Sequence, residues 1–308
     1  MRRLAVVLVV VLAVLALAGF AAFWWLTEPE RVAASALPAH TPDLANGERM
    51  FWAGGCASCH AAPGAAADAD AKTVLVGGLA MATPFGTFRV PNITPDPETG
   101  IGGWSTADFV TAMTKGVDPA GRHLYPAFPY VSYQRMRMED LIDLKGFLDT
   151  LPAVRSAVPP SEIAFPFSIR RGLGLWKLLY LDGRPYTPDP AWSEAARAGG
   201  YLVEGPGHCG ECHTPRDLLG GMERDRWLAG GPAPDGEGTV PNITPVPSGF
   251  GAWSAEEIAY ALESGFTPDF DSLGGSMGSV VTNMAHLEAA DREAIAAYLK
   301  AIPPVASR

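Results

Sequence analysis

The chain has 308 residues, 48% of them apolar, with 34 Gly and 28 Pro. This suits about two loop-rich domains on the usual scale of roughly 150 residues each. With 23 Lys plus Arg against 33 Asp plus Glu, the net charge is −10. That balance argues against nucleic acid as a partner and favours docking to a basic surface.

Arg2 and Arg3 precede 23 uncharged, mostly apolar residues, 4–26, which end in Phe23-Trp24-Trp25-Leu26. At about 1.5 Å per residue such a run spans a bilayer core of roughly 30 Å. The arginines favour a cytoplasmic N-terminus, and the tryptophans suit the far interface. We read residues 1–27 as an uncleaved inner-membrane anchor. The alternative is a signal peptide cut near Ala34-Ser35-Ala36 and secretion to the periplasm. Either way the remainder lies on the periplasmic side.

Residues 28–40 read as a polar, Ala/Pro-rich tether. Thr41-Pro42 supplies a cap and a first-turn proline for a helix through Phe51, which Gly54-Gly55 ends. There follows Cys56-Ala57-Ser58-Cys59-His60, and later Cys209-Gly210-Glu211-Cys212-His213. Each is Cys-x-x-Cys-His, the pattern of c-type haem attachment. Two thiols add to the two porphyrin vinyl groups, and the adjacent His becomes the proximal iron ligand. One such match would equally suit a redox pair or half a zinc site. Two matches that consume all four cysteines of the chain favour two covalently attached haems c. Pro63 is placed to offer its carbonyl to the other ring nitrogen of His60 and so to orient it.

The stretch 61–99 reads as loop. Ser105 and Asp108 form a capping-box start for a helix in which Phe109, Met113 and Val117 are core. Glu139 to Leu151 is an amphipathic helix stopped by Pro152. The layout then recurs. Val90-Pro91-Asn92-Ile93-Thr94-Pro95 returns as Val240-Pro241-Asn242-Ile243-Thr244-Pro245, Trp104-Ser105 as Trp253-Ser254, and Leu151-Pro152 as Ile302-Pro303. Near-constant spacing across these landmarks marks a duplication. We divide the chain into a first domain, 41–154, a connector, 155–188, and a second domain, 189–308. In the connector, 173–181 is apolar and too short to span; we read it as packing on one or both domains, with an interfacial membrane contact as the less favoured reading. Arg170-Arg171 suit haem propionates or a solvated basic face.

A sixth iron ligand is expected in a haem that only transfers electrons. In the second domain Met277, within Leu273-Gly274-Gly275-Ser276-Met277-Gly278, is preferred over Met222 and Met284, which read as packing. The corresponding loop of the first domain, 122–130, has no Met. Met136 is preferred there over His123, with an open site as a third possibility. His208 and His286 read as surface residues.

These loops carry a family resemblance. Pro91-Asn92-Ile93-Thr94-Pro95-Asp96, Gly100-Ile101-Gly102-Gly103-Trp104-Ser105, His123-Leu124-Tyr125-Pro126-Ala127-Phe128-Pro129-Tyr130 and Cys212-His213-Thr214-Pro215-Arg216 resemble the membrane-associated multihaem cytochrome c subunits of periplasmic dehydrogenases, such as those of alcohol dehydrogenase and gluconate 2-dehydrogenase. The resemblance implies an all-α fold of two tandem, duplicated cytochrome c domains behind a transmembrane helix. It implies a non-catalytic, electron-transferring part of a respiratory chain, with no catalytic residue of its own. Electrons would come from a dehydrogenase oxidising an alcohol, sugar acid or aldehyde, and pass to a cytochrome, an oxidase or quinone. Two departures stand out. The best-known members carry three haems, and relatives often have Met where this chain has Phe128. The second departure motivates the alternative of a small-molecule haem enzyme, a dihaem peroxidase or sulfur-compound oxidase, using an open first site.

Overall fold

The computed structural model describes residues 2–65, 69–233 and 238–307. The apolar N-terminal run forms one helix, α1 (Arg2–Leu26), none of whose residues is buried. By length and composition it is long and apolar enough to cross a membrane. The segment after it is not a free tether. Thr27 is fully buried, the Val32 amide donates to Thr111 Oγ1 (3.0 Å), and Glu30 and Arg31 pair with Lys115 and Asp108 (both 2.8 Å).

Helix α2 (Leu44–Ala53) is capped by Asp43, whose carboxylate accepts from the amides of Ala45 and Asn46; Thr41 lies outside it. After Gly54 come α3 (Cys56–His60) and a short α4 (Ala69–Lys72). The stretch expected as loop contains an antiparallel hairpin, β1 (Ala80–Thr83) with β2 (Gly86–Arg89), extended by β3 (Glu162–Ile163) from the connector. Helix α5 (Thr106–Lys115) has the expected capping box of Ser105 and Asp108 and ends at Gly116. α6 (Tyr130–Tyr133) and α7 (Met138–Leu148) complete the first half, and α8 (Leu173–Tyr180) lies in the connector.

The second half repeats this order. It runs α9 (Glu194–Glu204), α10 (Gly210–His213), a hairpin of β4 (Gly231–Pro232) and β5 (Thr239–Val240), then α11 (Ala255–Ser264), α12 (Ser276–Met284) and α13 (Ala289–Ala301). α11 has its own capping box, Ser254 with Glu257. In each half the first and last long helices pack together, α2 on α7 and α9 on α13. Their backbones touch through glycine: a Cβ at Gly47 would lie 2.2 Å from the Asp143 carbonyl, and one at Gly199 only 1.8 Å from that of Ala294. The fold is therefore mostly helical and duplicated, as the sequence implies.

The two halves share one apolar cluster, in which Met50, Phe51 and Leu144 of the first half meet Leu202, Ile295 and Leu299 of the second. Arg49 clamps Asp291 across the seam, Nε to Oδ2 at 2.8 Å and Nη2 to Oδ1 at 2.6 Å. A two-point guanidinium–carboxylate pair fixes direction as well as distance.

Helix α8 joins both halves. Trp176 Nε1 donates to the Leu219 carbonyl (2.9 Å) and Tyr180 to Asp217 (2.7 Å). Buried Lys177 donates to the carbonyls of Lys115 (2.6 Å) and Gly116 (2.7 Å) at the C-terminus of α5. Burial pushes its amine down from 10.5 to about 7. Because the folded value lies below the unfolded one, the unfolded chain binds the extra proton between those limits. Stability from this group therefore rises with pH from about 7 to 10.5 and carries its full penalty below 7. Lys177→Met should remove that rise, worth about 3–5 kcal/mol at most, and denaturant unfolding of both proteins at pH 7 and pH 10 measures it. A pH dependence unchanged by the substitution would place the charge elsewhere.

Candidate cofactor site

In the first half, Cys56 and Cys59 stand one helical turn apart on α3, with His60 closing it. A three-residue spacing puts both thiols on one helix face. Gly55, before Cys56, takes a left-handed conformation (φ 57°), as does His208 before Cys209 (φ 39°). His60 Nδ1 lies 2.8 Å from the Pro91 carbonyl, and His213 Nδ1 lies 2.9 Å from the Pro241 carbonyl. A carbonyl only accepts, so Nδ1 carries the proton in both rings and Nε2 keeps its lone pair for a metal. Burial lowers both imidazoles, His60 to about 4, which keeps them neutral as ligands must be. Burial also raises the thiols, Cys56 and Cys209 to about 12, so they are protonated in the haem-free chain.

The acceptor is thus Pro91, not Pro63. A signal for it was present: Pro91 sits in the six-residue motif that returns around Pro241. The structure explains why that motif repeats. Asn92 Nδ2 donates to the Val154 carbonyl (2.9 Å) while its Oδ1 accepts from the Thr94 amide (2.9 Å). Asn242 does the same with Val305 (2.7 Å) and Thr244 (2.8 Å). Each asparagine ties the proline loop to the chain that follows the last helix of its half. From the other side, Gly77 and Gly230 donate to the His60 and His213 carbonyls (2.8 and 2.7 Å).

Met277 is the second residue of α12, partly buried, rather than part of a loop. The bridges Val117↔His123 and Phe266↔Ser272 match in the two halves, and the amides of Leu124 and Leu273 donate alike to Gly116 and Gly265 (2.7 Å each). Counting four residues on from those leucines puts Phe128 in the position of Met277. Phe128 packs edge-on against Tyr133 (5.5 Å). Met136 is buried in the apolar cluster that holds Ala57, beside Gly205. Met113, Met222 and Met284 are buried packing residues.

His123 is spent elsewhere. Its Nε2 donates to the Thr27 carbonyl (2.9 Å) and its Nδ1 accepts from Lys177 Nζ (3.0 Å), so neither nitrogen is left for an iron or a propionate. Arg170 and Arg171 also serve a different purpose from either expected one. Arg170 donates to the His123 carbonyl (3.0 Å) and lies over Tyr125; Arg171 donates to Thr27 Oγ1 (2.8 Å) and the Trp24 carbonyl (2.5 Å). Arg171 fastens the end of α1, and Arg170 holds the loop that carries His123.

The sequence reading also missed what joins the two sites. His208, expected at the surface, contacts the Gly54 carbonyl through Nε2 (3.2 Å) and stacks edge-on with Tyr133. Asn283 of α12 donates to Ser58 of α3 (2.7 Å), and His286 stacks on Trp52 with ring centres 3.8 Å apart. The chain just before the first Cys-x-x-Cys-His segment therefore meets the residue just before the second, and α12 reaches into the first. Contacts between halves leave no local pattern, and no motif could have announced them. Among the described residues no group of three or more His, Cys, Asp or Glu converges as a metal cage. The donor set of paired thiols and one oriented imidazole instead suits an iron whose other ligands come from a porphyrin.

The cytochrome c family model matches residues 44–152. A diheme cytochrome c-type protein of Cereibacter sphaeroides is 52% identical over 294 residues, covering 96% of this chain and 97% of that protein. The fructose dehydrogenase cytochrome subunit of Gluconobacter japonicus is 35% identical over 268 residues, covering 86% of this chain. The alcohol dehydrogenase (quinone) cytochrome c subunit of Gluconacetobacter polyoxogenes is 37% identical over 285 residues, covering 87%. The chain spans only 54% and 58% of the length of these two dehydrogenase subunits.

The proline loops rest on glycine. Gly77 and Gly230 have φ of 69° and 73°, and an added Cβ would lie 2.5 Å from the Pro91 carbonyl and 2.6 Å from the Val240 carbonyl. Gly77→Ala and Gly230→Ala should each lower stability by about 1–3 kcal/mol and release the imidazole of their own half, seen as faster exchange of its Nδ1 proton by NMR. Gly274→Ala, which meets nothing within 4 Å, should be neutral in both measurements.

Proposed function

The chain belongs to the diheme c-type cytochromes, and we propose that it is a membrane-anchored dihaem relay between a periplasmic dehydrogenase and a downstream respiratory acceptor. Haem c supplies the reversible one-electron iron couple. Cys56 and Cys59 would hold one haem and Cys209 and Cys212 the other, with His60 and His213 supplying a nitrogen to each iron. The observation that carries this reading is the paired imidazole geometry, one Nδ1 on Pro91 and one on Pro241, with Nε2 left for iron in both.

Met277 would complete the iron coordination of the second haem and Met136 that of the first. Support for Met136 comes from the loss of its rivals: Phe128 fills the register position of Met277, and both nitrogens of His123 are engaged. The contacts of Gly54 with His208 and of Ser58 with Asn283 keep the two attachment segments adjacent. That proximity suits passage of an electron inside one chain. Helix α1 holds the relay at the periplasmic face of the inner membrane, and the dehydrogenase oxidises an alcohol, sugar acid or aldehyde.

Gentle solubilisation and affinity purification should bring down a dehydrogenase, and its substrate should then reduce both haems of the complex. A cytochrome that purifies alone and is reduced by none of these substrates would count against the subunit reading. The ligands are tested separately by absorption spectra. Met277→Ala and Met136→Ala should each abolish the methionine-to-iron charge-transfer band of one haem and lower its potential. If Met136→Ala leaves the spectrum unchanged, the first haem takes its distal ligand elsewhere. A wild-type low-spin spectrum indifferent to cyanide and peroxide is the expected result; a shift with either would favour the small-molecule enzyme.

A further inference from the structure

Helix α8 is amphipathic in the wrong direction for a helix facing water. Its one charged side chain, Lys177, is buried, and so is Gly174. Leu175, Leu178 and Leu179, spaced three and four apart on one face, are 42, 59 and 65% exposed. The chain entering the helix continues the pattern, with Phe165, Phe167 and Ile169 exposed. So does the loop to which Trp176 is bonded, which presents Leu218 and Leu219. Scattered surface leucines need no explanation, whereas a contiguous apolar face does.

The position of α8 says what covers that face. A Cβ at Gly174 would lie 2.6 Å from Thr27 Cβ, so the helix touches the residue that directly follows α1. Arg171, two residues before α8, donates to Thr27 Oγ1 and the Trp24 carbonyl, and its guanidinium lies 4.1 Å from the centre of the Trp24 ring. Tyr125 and Arg170 fasten the preceding turn to the first half, through the carbonyls of Phe167 and His123. Nothing in this arrangement lets α8 stand away from the end of α1. Tryptophans at the end of a membrane-crossing helix mark the boundary between headgroups and acyl chains. A helix packed against that boundary, with leucines outward and its charge turned inward, meets lipid there.

We infer that α8 and its approach form a second membrane contact, a monotopic segment seated in the periplasmic leaflet beside α1. The contact rests on the reading of α1 as a membrane anchor. Burying a few leucines and phenylalanines about 5–10 Å into the interface is the ordinary mode of such segments. Its consequence is orientation: α1 alone would let the two haem-bearing halves swivel over the membrane, and a second contact point stops the swivel.

The test uses the full-length holoprotein in vesicles of zwitterionic and anionic phospholipid. Single cysteines replace Leu178, Leu179, Leu12 in α1, or exposed Glu256 on α11 as the aqueous reference, and each carries a nitroxide label. Relaxation by oxygen, which concentrates in lipid, is compared with relaxation by a water-soluble nickel chelate. Labels at 178 and 179 should show an oxygen preference several-fold above that at 256 and approaching that at 12. Lipid-like behaviour at 12 with water-like behaviour at 178 and 179 would overturn the second contact and leave the anchor standing. Water-like behaviour at 12 would overturn the anchor and the contact together. Labels at 178 and 179 that lose chelate access only when the dehydrogenase is added would assign the face to that protein and also overturn the contact.

Discussion

Each candidate site depends on a single bond, from a histidine Nδ1–H to a proline carbonyl, and much of each half serves to hold that carbonyl still. The proline contributes a fixed backbone angle and has no amide hydrogen of its own. Asn92 and Asn242 clamp the loop to the end of their half, and Gly77 and Gly230 let a second strand of chain pass within van der Waals distance. Orientation of the imidazole is thus determined by residues far apart in sequence: the loop, the glycine and the segment after the last helix. A free imidazole could rotate or accept a proton at either nitrogen. One that donates from Nδ1 to a rigid carbonyl can do neither without breaking the clamp.

The duplication does more than double the site. Two copies of one unit, packed through a shared apolar cluster, bring their attachment segments together because the residues flanking each motif form the seam. Gly54 and Ser58 on one side meet His208 and Asn283 on the other. The halves are not symmetric at the distal positions, where Phe128 stands in the register of Met277. The first half also carries what the second lacks: its α5 ends on Lys177, and its distal loop supplies His123 to the end of α1.

The fold class, the duplication, the two Cys-x-x-Cys-His patterns and the capped start of α5 were legible in the sequence, because each is a local pattern. Cys-x-x-Cys-His, the Ser105–Asp108 box and the repeated Val-Pro-Asn-Ile-Thr-Pro need only a few neighbouring residues. What was not legible depends on residues meeting across the chain. The Pro63 expectation failed because nearness in sequence was used where a repeated motif gave the better clue. The strands β1 and β2 were hidden by a Gly- and Ala-rich composition that reads as loop. His123, Arg170 and Arg171 were weighed as haem partners because their chemistry suits it, yet chain topology delivers His123 and Arg171 to Thr27 at the end of α1 and Arg170 to the His123 carbonyl.

That last displacement joins two parts of the molecule that the sequence separates. Thr27, His123 and Lys177 form one buried chain of polar contacts: the Thr27 carbonyl accepts from His123, whose other nitrogen accepts from Lys177, which in turn donates to the end of α5. Each member needs the others, since a buried polar group without a partner costs roughly 1–3 kcal/mol. Helix α1, the connector helix α8 and the loop that carries His123 are therefore set by a common network. A flexible tether would leave the rest of the chain free to sample many distances from α1. A network that is intact only in one arrangement fixes α1, α8 and the first half relative to one another.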